Sequence, residues 1–381
     1  MTKKKDVYQE SLALHKKHGG KTEVICKVPL KNRLDLSLAY TPGVAEISRA
    51  IAKDPKLAKV LTLKKDTVAV VSDGTAILGL GNLGALSAIP VMEGKANIFK
   101  EFGGINAFPI CLDTQDTEEI IRTVKIIAPC FGAINLEDFS APRCFEIEER
   151  LRKELDIPVM HDDQWGTATV VLAALINAAK VRGLKPQDLY VVFSGVGAAG
   201  VACGRTLHSY GITKTLFCDS KGIIHPTRLD LTKEKSELLM GSTVPAYEGT
   251  LSNALVDADV FIGLSKPGIV TPQMVHYMAE DPIIFAMANP IPEIMPNIAK
   301  EAGALIVGTG RSDFPNQINN SLGFPGLFRA VLKKHIPQFR TEMYTIAAEA
   351  IASCVKKPTV DRIIPSMFDK KVVKAIYDSV H

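Results

Sequence analysis

The chain has 381 residues, 46% apolar and 23% charged, with a formal net charge of +4. That length suits two domains with substantial cores, and the composition is that of an ordinary globular protein. The lysines and arginines are scattered, so no basic stripe marks a nucleic-acid surface, and no apolar run is long enough to span a bilayer. Lys3-Lys4-Lys5 leads into a polar amphipathic stretch and not an apolar signal core. The seven cysteines lack CxxC pairs and read as small buried hydrophobes in a reducing compartment, so the expected location is the cytoplasm.

In chain order, 6–18 and 44–60 read as helices and 68–72 as a β-branched strand. A strand at 106–112 is followed by a helix at 117–127, with Glu118 and Glu119 early in it, where the helix dipole favours acids. A strand at 132–136 follows. Ser140 is placed to N-cap the next helix, with Pro142 in its first turn, running to Leu155. A strand at 157–160 leads to an apolar helix at 167–182 closed by Gly183. A second alternation has strands at 189–194, 214–218, 258–264, 283–287 and 304–307, and 340–381 reads as C-terminal helices broken at Pro365. Repeated βα units imply parallel sheets with helices on both faces. The fold class is therefore α/β, with the domain boundary between 160 and 185.

Two acid pairs end consecutive strands: Glu137-Asp138, then Asp162-Asp163. Parallel strands joined by one helix end on the same sheet edge, where open α/β folds bind ligands. Four carboxylates at one place repel unless a cation or proton holds them. Carboxylates without a Cys/His set suit a hard cation, Mg²⁺ or Mn²⁺. Helix capping accounts for one acid per helix but not for two consecutive acids at each strand end. His161, alone beside them, reads as a structural hydrogen-bonder.

GxGxxG occurs at Gly79–Gly84 and at Gly195–Gly200. Only the second directly follows a strand and opens a helix of small residues. Its members Gly195, Val196, Gly197, Ala198, Ala199 and Gly200 would bring backbone N–H groups to a pyrophosphate. Asp219 lies where an acid meets the adenosine ribose, which favours NAD; Lys214 and Lys221 are close enough in sequence to balance the 2′-phosphate of NADP. The first loop reaches Pro90 within six residues and reads as a tight turn that lets backbones approach.

Six separated motifs make the chain resemble the malic enzymes, most closely the short bacterial form, from about residue 10 to 370: Ser37–Ala45, Pro90–Lys95, Leu136–Phe139, His161–Gln164, Phe285–Pro290 and Gln317–Asn320. The resemblance implies an N-terminal α/β substrate and metal domain over 1–160. It also implies a Rossmann-like, doubly wound dinucleotide-binding domain with C-terminal helices over 161–381. It implies oxidative decarboxylation of (S)-malate to pyruvate and CO₂ with NAD or NADP and Mn²⁺ or Mg²⁺, in a homodimer without nucleic-acid or membrane partners. By matching motif, Tyr40 takes the role of general acid and Lys95 that of general base. Asp162 neighbours Lys95, and Glu137, Asp138 and Asp163 hold the metal. Asn289, Asn319 and Asn320 line the substrate–nicotinamide pocket. The base role requires a lysine pKa well below the usual value of about 10.4, which burial and a nearby cation both favour.

On the residues alone, Tyr40 reads sooner as a turn aromatic than as a catalyst, Lys95 sooner as a surface lysine, and the asparagines read as turn or helix-start residues. Two departures from the family pattern stand out. Ala76 replaces an arginine that larger relatives direct at a substrate carboxylate. Trp165 stands where short relatives tend to have histidine, either packing the helix start or reshaping the pocket. The competing readings are a malolactic enzyme, which keeps its cofactor and releases lactate, and a catalytically idle nucleotide-sensing module.

Overall fold

The computed structural model describes residues 6–381. Helices α1 (Val7–His18), α2 (Arg33–Ala39), α3 (Val44–Lys53) and α4 (Ala58–Leu61) come first. None of them buries a side chain, and no residue from 6 to 66 is buried. The helix expected over 44–60 breaks at Asp54-Pro55, because Pro55 starts a new turn that the Asp54 carboxylate caps.

Strands β1 (Thr67–Ser72), β2 (Asn106–Cys111), β3 (Ala133–Leu136) and β4 (Val159–His161) form a wholly parallel sheet in the order β2-β1-β3-β4. They are joined by α5 (Ala85–Ile98), α6 (Thr117–Ile127) and α7 (Arg143–Glu154). The first glycine loop thus leads into a helix after all, with Pro90 inside it and Lys95 in its last turn. Helix α7 starts at Arg143, and Ser140 makes no side-chain cap; only its carbonyl accepts, from Cys144 N.

Helix α8 (Asp162–Val181) begins five residues earlier than its apolar pattern indicates. Asp162 and Asp163 therefore occupy its first turn, where the helix dipole favours acids. Its side chains Val170, Val171, Leu172 and Leu175 are fully buried, each contributing about 1.5–3 kcal/mol. It packs on α9 (Ala198–Ser209) and, farther along the chain, on α15 (Thr341–Ser353).

The second sheet contains β5 (Val191–Ser194), β6 (Thr215–Asp219), β7 (Gly222–Ile223), β8 (Val260–Gly263), β9 (Ile283–Ala286) and β10 (Ile306–Thr309). Its order is β10-β9-β8-β5-β6-β7, parallel except for the two-residue β7. Connecting helices are α10 (Lys233–Gly241), α11 (Leu251–Ala254), α12 (Pro272–His276) and α13 (Pro296–Glu301). Chain order reverses between β5 and β8, which makes that gap the ligand crevice of a doubly wound sheet.

The last segment returns to the first sheet. Phe324 and Phe328, on α14 (Phe324–Lys333), stack edge-on against Phe99 at 4.7 and 5.1 Å. Gln338 donates to the carbonyls of Leu155 and Ile157. Helix α16 (Lys371–Ser379) packs on both α14 and α15. All seven cysteines are free; Cys144, Cys203 and Cys218 are buried as expected, but Cys26 and Cys130 are exposed. Among the described residues, no helix is long and apolar enough to cross a membrane.

Candidate active site

Pairing of β3 with β4 sets Leu136 beside His161, so the residues that follow each strand emerge side by side. Glu137 and Asp138 leave β3, and Asp162 and Asp163 open α8. Asp138 has a left-handed backbone (φ 57°), a conformation that aspartate adopts more readily than most non-glycine residues. The turn is held by the Asp138 N–H donating to Asp163 Oδ2 at 2.7 Å and by Ala76 N–H donating to the Asp138 carbonyl at 2.9 Å.

Lys95 comes to these acids from the last turn of α5. It is 8% exposed, and its Nζ lies 2.8 Å from Glu137 Oε1, in a short hydrogen bond with Asp162 Oδ2, and 4.5 Å from the centre of the Phe324 ring. Gly166 makes room for this pair: a Cβ there would stand 1.9 Å from Asp162 Oδ1 and 3.1 Å from Asn320 Cβ. The glycine four residues after Asp162, inside an apolar helix, was the sequence signal for this requirement.

Burial dominates the electrostatics. It pushes the Glu137 carboxyl well above its ordinary range despite Lys95, and, with Asp163 beside it, raises Asp138 to about 8. Asp162 is also raised by burial, against the pull of Lys95. Asp163 alone moves down: burial is outweighed by His161, whose Nε2 lies 3.2 Å from Asp163 Oδ2. Burial lowers Lys95, but Asp162 and Glu137 outweigh it and hold the ammonium above its ordinary value. The direction is opposite to the one the base role requires, because Asp162, Glu137 and Asp163 all act on the one ammonium.

Glu137, Asp138 and Asp163 each offer an oxygen within 4.8 Å of the others, and Asp138 Oδ2 is buried without a partner. An all-oxygen, multiply charged donor set with an orphaned acceptor fits a hard divalent cation. Asp162 faces Lys95 instead. His161 is fully buried between Gln164 and Asp163, the structural place expected of it.

The remaining motif residues divide. Asn320 lies against the start of α8, beside Asp162. Asn319 accepts from Ser321 N–H and caps the short turn there. Asn289 is exposed; its carbonyl oxygen would stand 2.5 Å from a Cβ at Gly79, so the first glycine loop does serve close backbone approach. Buried Glu293, which carried no sequence signal, accepts from Ser265 N–H and Ala288 N–H and ties the turn after β8 to the one after β9.

Tyr40 is not brought to the cluster. It is 66% exposed at the end of α2, and its phenol bonds to neither Lys95 nor any of the acids. The reason is local: the arm that carries it places nothing in the core. Trp165 turns away from the carboxylates. Its indole N–H donates to Glu148 Oε1 and Oε2 at 2.8 and 3.0 Å, and its ring stacks on Tyr344 at 4.7 Å.

At the other sheet edge, Gly195 (φ 101°) turns tightly under Leu264: a Cβ would meet the Leu264 carbonyl oxygen at 2.4 Å. At Gly200 a Cβ would meet the Gly195 carbonyl oxygen at 2.0 Å, which demands glycine for packing of α9 on the strand. Gly197, Ala198 and Ala199 open α9, while Val196 lies between the glycines. The family of malic enzyme N-terminal domains matches residues 19–152, and that of malic enzyme NAD-binding domains matches 165–376.

The chain belongs to the malic enzyme family. It is 54% identical to the NAD-dependent malic enzyme of Geobacillus stearothermophilus, over 95% of this chain and 76% of that one. It is 52% identical to the bifunctional malic/malolactic enzyme of Bacillus subtilis (strain 168), over 98% of this chain and 92% of that one. The crystal structure of the NAD-dependent malic enzyme of Thermotoga maritima superposes with a TM-score of 0.94 at 46% identity, covering 97% and 98% of the two chains. This malic enzyme thus has a dinucleotide-binding domain of a family with relatives named for NAD and for NADP.

Proposed function

We propose that this malic enzyme converts (S)-malate to pyruvate and CO₂ while reducing NAD or NADP. The observation that carries the reading is the buried Lys95, clamped by Asp162 and by Glu137, itself one of three converging carboxylates. Glu137, Asp138 and Asp163 would hold Mn²⁺ or Mg²⁺. Gly195–Gly200, Asp219 and Asn289 would hold the dinucleotide, and Asn319 and Asn320 would face substrate. The chemistry supplied by these bound groups is positive charge at the C2 oxygen and a hydride acceptor.

Once the acids that hold its ammonium are neutralised, Lys95 gives up a proton to solvent, and its free amine then takes the proton of the C2 hydroxyl, with Asp162 fixing Nζ for that transfer. Phe324 and the buried Asp162 at the start of α8 flank the lysine and limit its access to water. We assign 1–160 to substrate and metal and 161–381 to the dinucleotide. The two strand sets support the division, with α14 and its neighbours bracing the first sheet from the far end of the chain.

Tyr40 is the acid that returns a proton to C3, and it does so from a second copy of the chain. The arm supports this: Val24, Ile25, Leu30, Leu34 and Leu38 are all exposed on it, an apolar surface that a monomer leaves in water. The enzyme is accordingly a homodimer. Co-expressed Lys95→Ala and Tyr40→Phe chains, each inactive alone, regain activity because one site in the mixed dimer has both groups intact. Continued inactivity of a verified mixed dimer would place Tyr40 in its own chain's site or outside catalysis. Product analysis tests the reaction itself: pyruvate accumulates with reduced nicotinamide, whereas lactate without reduced nicotinamide would identify the malolactic course.

A further inference from the structure

Asp219, at the end of β6, is the residue assigned to the adenosine ribose, and its surroundings are unusual for that task. An acid in this place ordinarily accepts from the ribose hydroxyls and repels a 2′-phosphate. Here both oxygens are already engaged. Oδ1 accepts from Lys221 N–H and Arg228 Nη1, each at 2.9 Å; Oδ2 accepts from Arg228 Nη2 at 2.8 Å and Lys235 Nζ at 2.7 Å. A carboxylate offers about four acceptor positions, so none is left for a hydroxyl until a donor withdraws.

The charges also differ from the usual pattern. Arg228 reaches Asp230 as well, through Nε at 2.9 Å and Nη2 at 2.8 Å, and Lys221 Nζ pairs with Asp230 at 2.9 Å. Two carboxylates thus face three cations, Lys221, Arg228 and Lys235. Of the two lysines close to Asp219 in sequence, Lys214 reaches the Asp188 carbonyl, and Lys221 joins the cluster through Asp230. The two cations on Asp219 come from farther along the chain, after β7 and from the first turn of α10. Arg228 is the more enclosed, its side chain 8% exposed and held by both acids; Lys235 is 18% exposed at the end of a flexible stem.

We propose that Arg228 and Lys235 are the cofactor-selecting residues of this chain, and that with Asp219 they form one subsite that accepts either the 2′-hydroxyl of NAD or the 2′-phosphate of NADP. For NAD, Lys235 swings away and a ribose hydroxyl takes its position on Oδ2. For NADP, the phosphate draws Lys235 and one edge of Arg228, while Asp219 keeps its remaining donors. The cation excess removes the repulsion by which a free acid would reject the phosphate. The proposal rests on the reading of Gly195–Gly200 and Asp219 as the dinucleotide site.

The test is equilibrium binding of NADH and NADPH to the full-length protein, read by nicotinamide fluorescence, together with malate kinetics on both oxidised cofactors. The unaltered protein is expected to bind the two within about tenfold of each other. Lys235→Met should weaken NADPH about tenfold, the loss of one charge-assisted hydrogen bond, and leave NADH unchanged or tighter. Asp219→Ser should weaken NADH and tighten NADPH. Arg228→Lys keeps the charge but not the planar fork, and should weaken NADPH less than Lys235→Met does. A preference of about a hundredfold for either cofactor in the unaltered protein overturns the proposal, as do variants that shift both cofactors in parallel. If no variant changes either affinity, the ribose lies elsewhere and the underlying assignment of Asp219 fails instead. Lys235→Met, a partly exposed site, carries the test alone if the other two variants do not fold.

Discussion

The two parallel sheets each end in a cluster of charge, and the clusters are opposite in sign. At the edge of the first sheet, four carboxylates face the single ammonium of Lys95 and the imidazole of His161. At the edge of the second, three cations face Asp219 and Asp230. The backbone solution is the same, a strand end next to a helix start, yet one cluster has an excess of acid and the other an excess of base. Burial separates them further. Around Lys95 it raises carboxyl groups far from water, whereas around Asp219 it is outweighed by Arg228 and Lys235, which hold that carboxyl at about 2. An uncompensated cluster favours a ligand of opposite charge, and on that ground we propose a cation at the first edge and a phosphate-bearing anion at the second.

The contrast can be broken most severely at Lys95. Lys95→Ala should lower turnover by about 10³-fold or more, while NADH binding at the other edge survives. Turnover near that of the unaltered enzyme would remove the lysine from the proton path. Next is Asp163→Ala, which removes one of three converging oxygens and should weaken Mn²⁺ activation by about a hundredfold, with no change in dinucleotide affinity. An unchanged metal titration would strike it from the ligand set.

A third test uses acid to separate the two halves. His208, on α9, donates to or accepts from Thr215 Oγ1 at 2.8 Å, and burial lowers it from 6.5 to about 4. The folded state therefore binds fewer protons than the unfolded state between those values. Stability from this group is complete above the unfolded value and is lost as pH falls from 6.5 towards 4, by about 3 kcal/mol at most. Melting temperature should fall over that window, and His208→Gln should flatten the fall; an unaltered slope would assign the acid sensitivity to other groups. The smallest effect on chemistry is expected at Trp165→Phe. It loses the bond to Glu148 and about 1–3 kcal/mol of stability, but turnover should stay within a few-fold. A large loss of turnover with an unchanged melting temperature would restore Trp165 to the pocket.

Much of this was legible before any coordinates. Alternating strands and helices, acids at two successive strand ends and a glycine loop between strand and helix each follow from local chemistry, and the strands lie within two or three residues of their expected places. The convergence of the acids was readable because parallel connection leaves strand ends on one edge. The start of α8 was misplaced because Asp162-Asp163-Gln164 has no apolar periodicity; the helix there is decided by packing and by charge at its N-terminus. The helix bearing Lys95 was missed because Pro90 interrupts its pattern.

Sequence by itself determined the sheets, the two edges where strand ends meet helix starts, and the convergence of the acids, all of which depend on residues near one another in the chain. Tertiary structure alone decided the partners. Lys95 meets Asp162 across 67 positions, Trp165 finds Glu148 on another helix, and the cations on Asp219 are Arg228 and Lys235, not the side chains of the lysines closest to it in sequence. Tyr40, legible as a motif, stays on an exposed arm. Charge pairing depends on distances of a few ångströms between elements, and those are set by how buried helices pack, which no local pattern encodes.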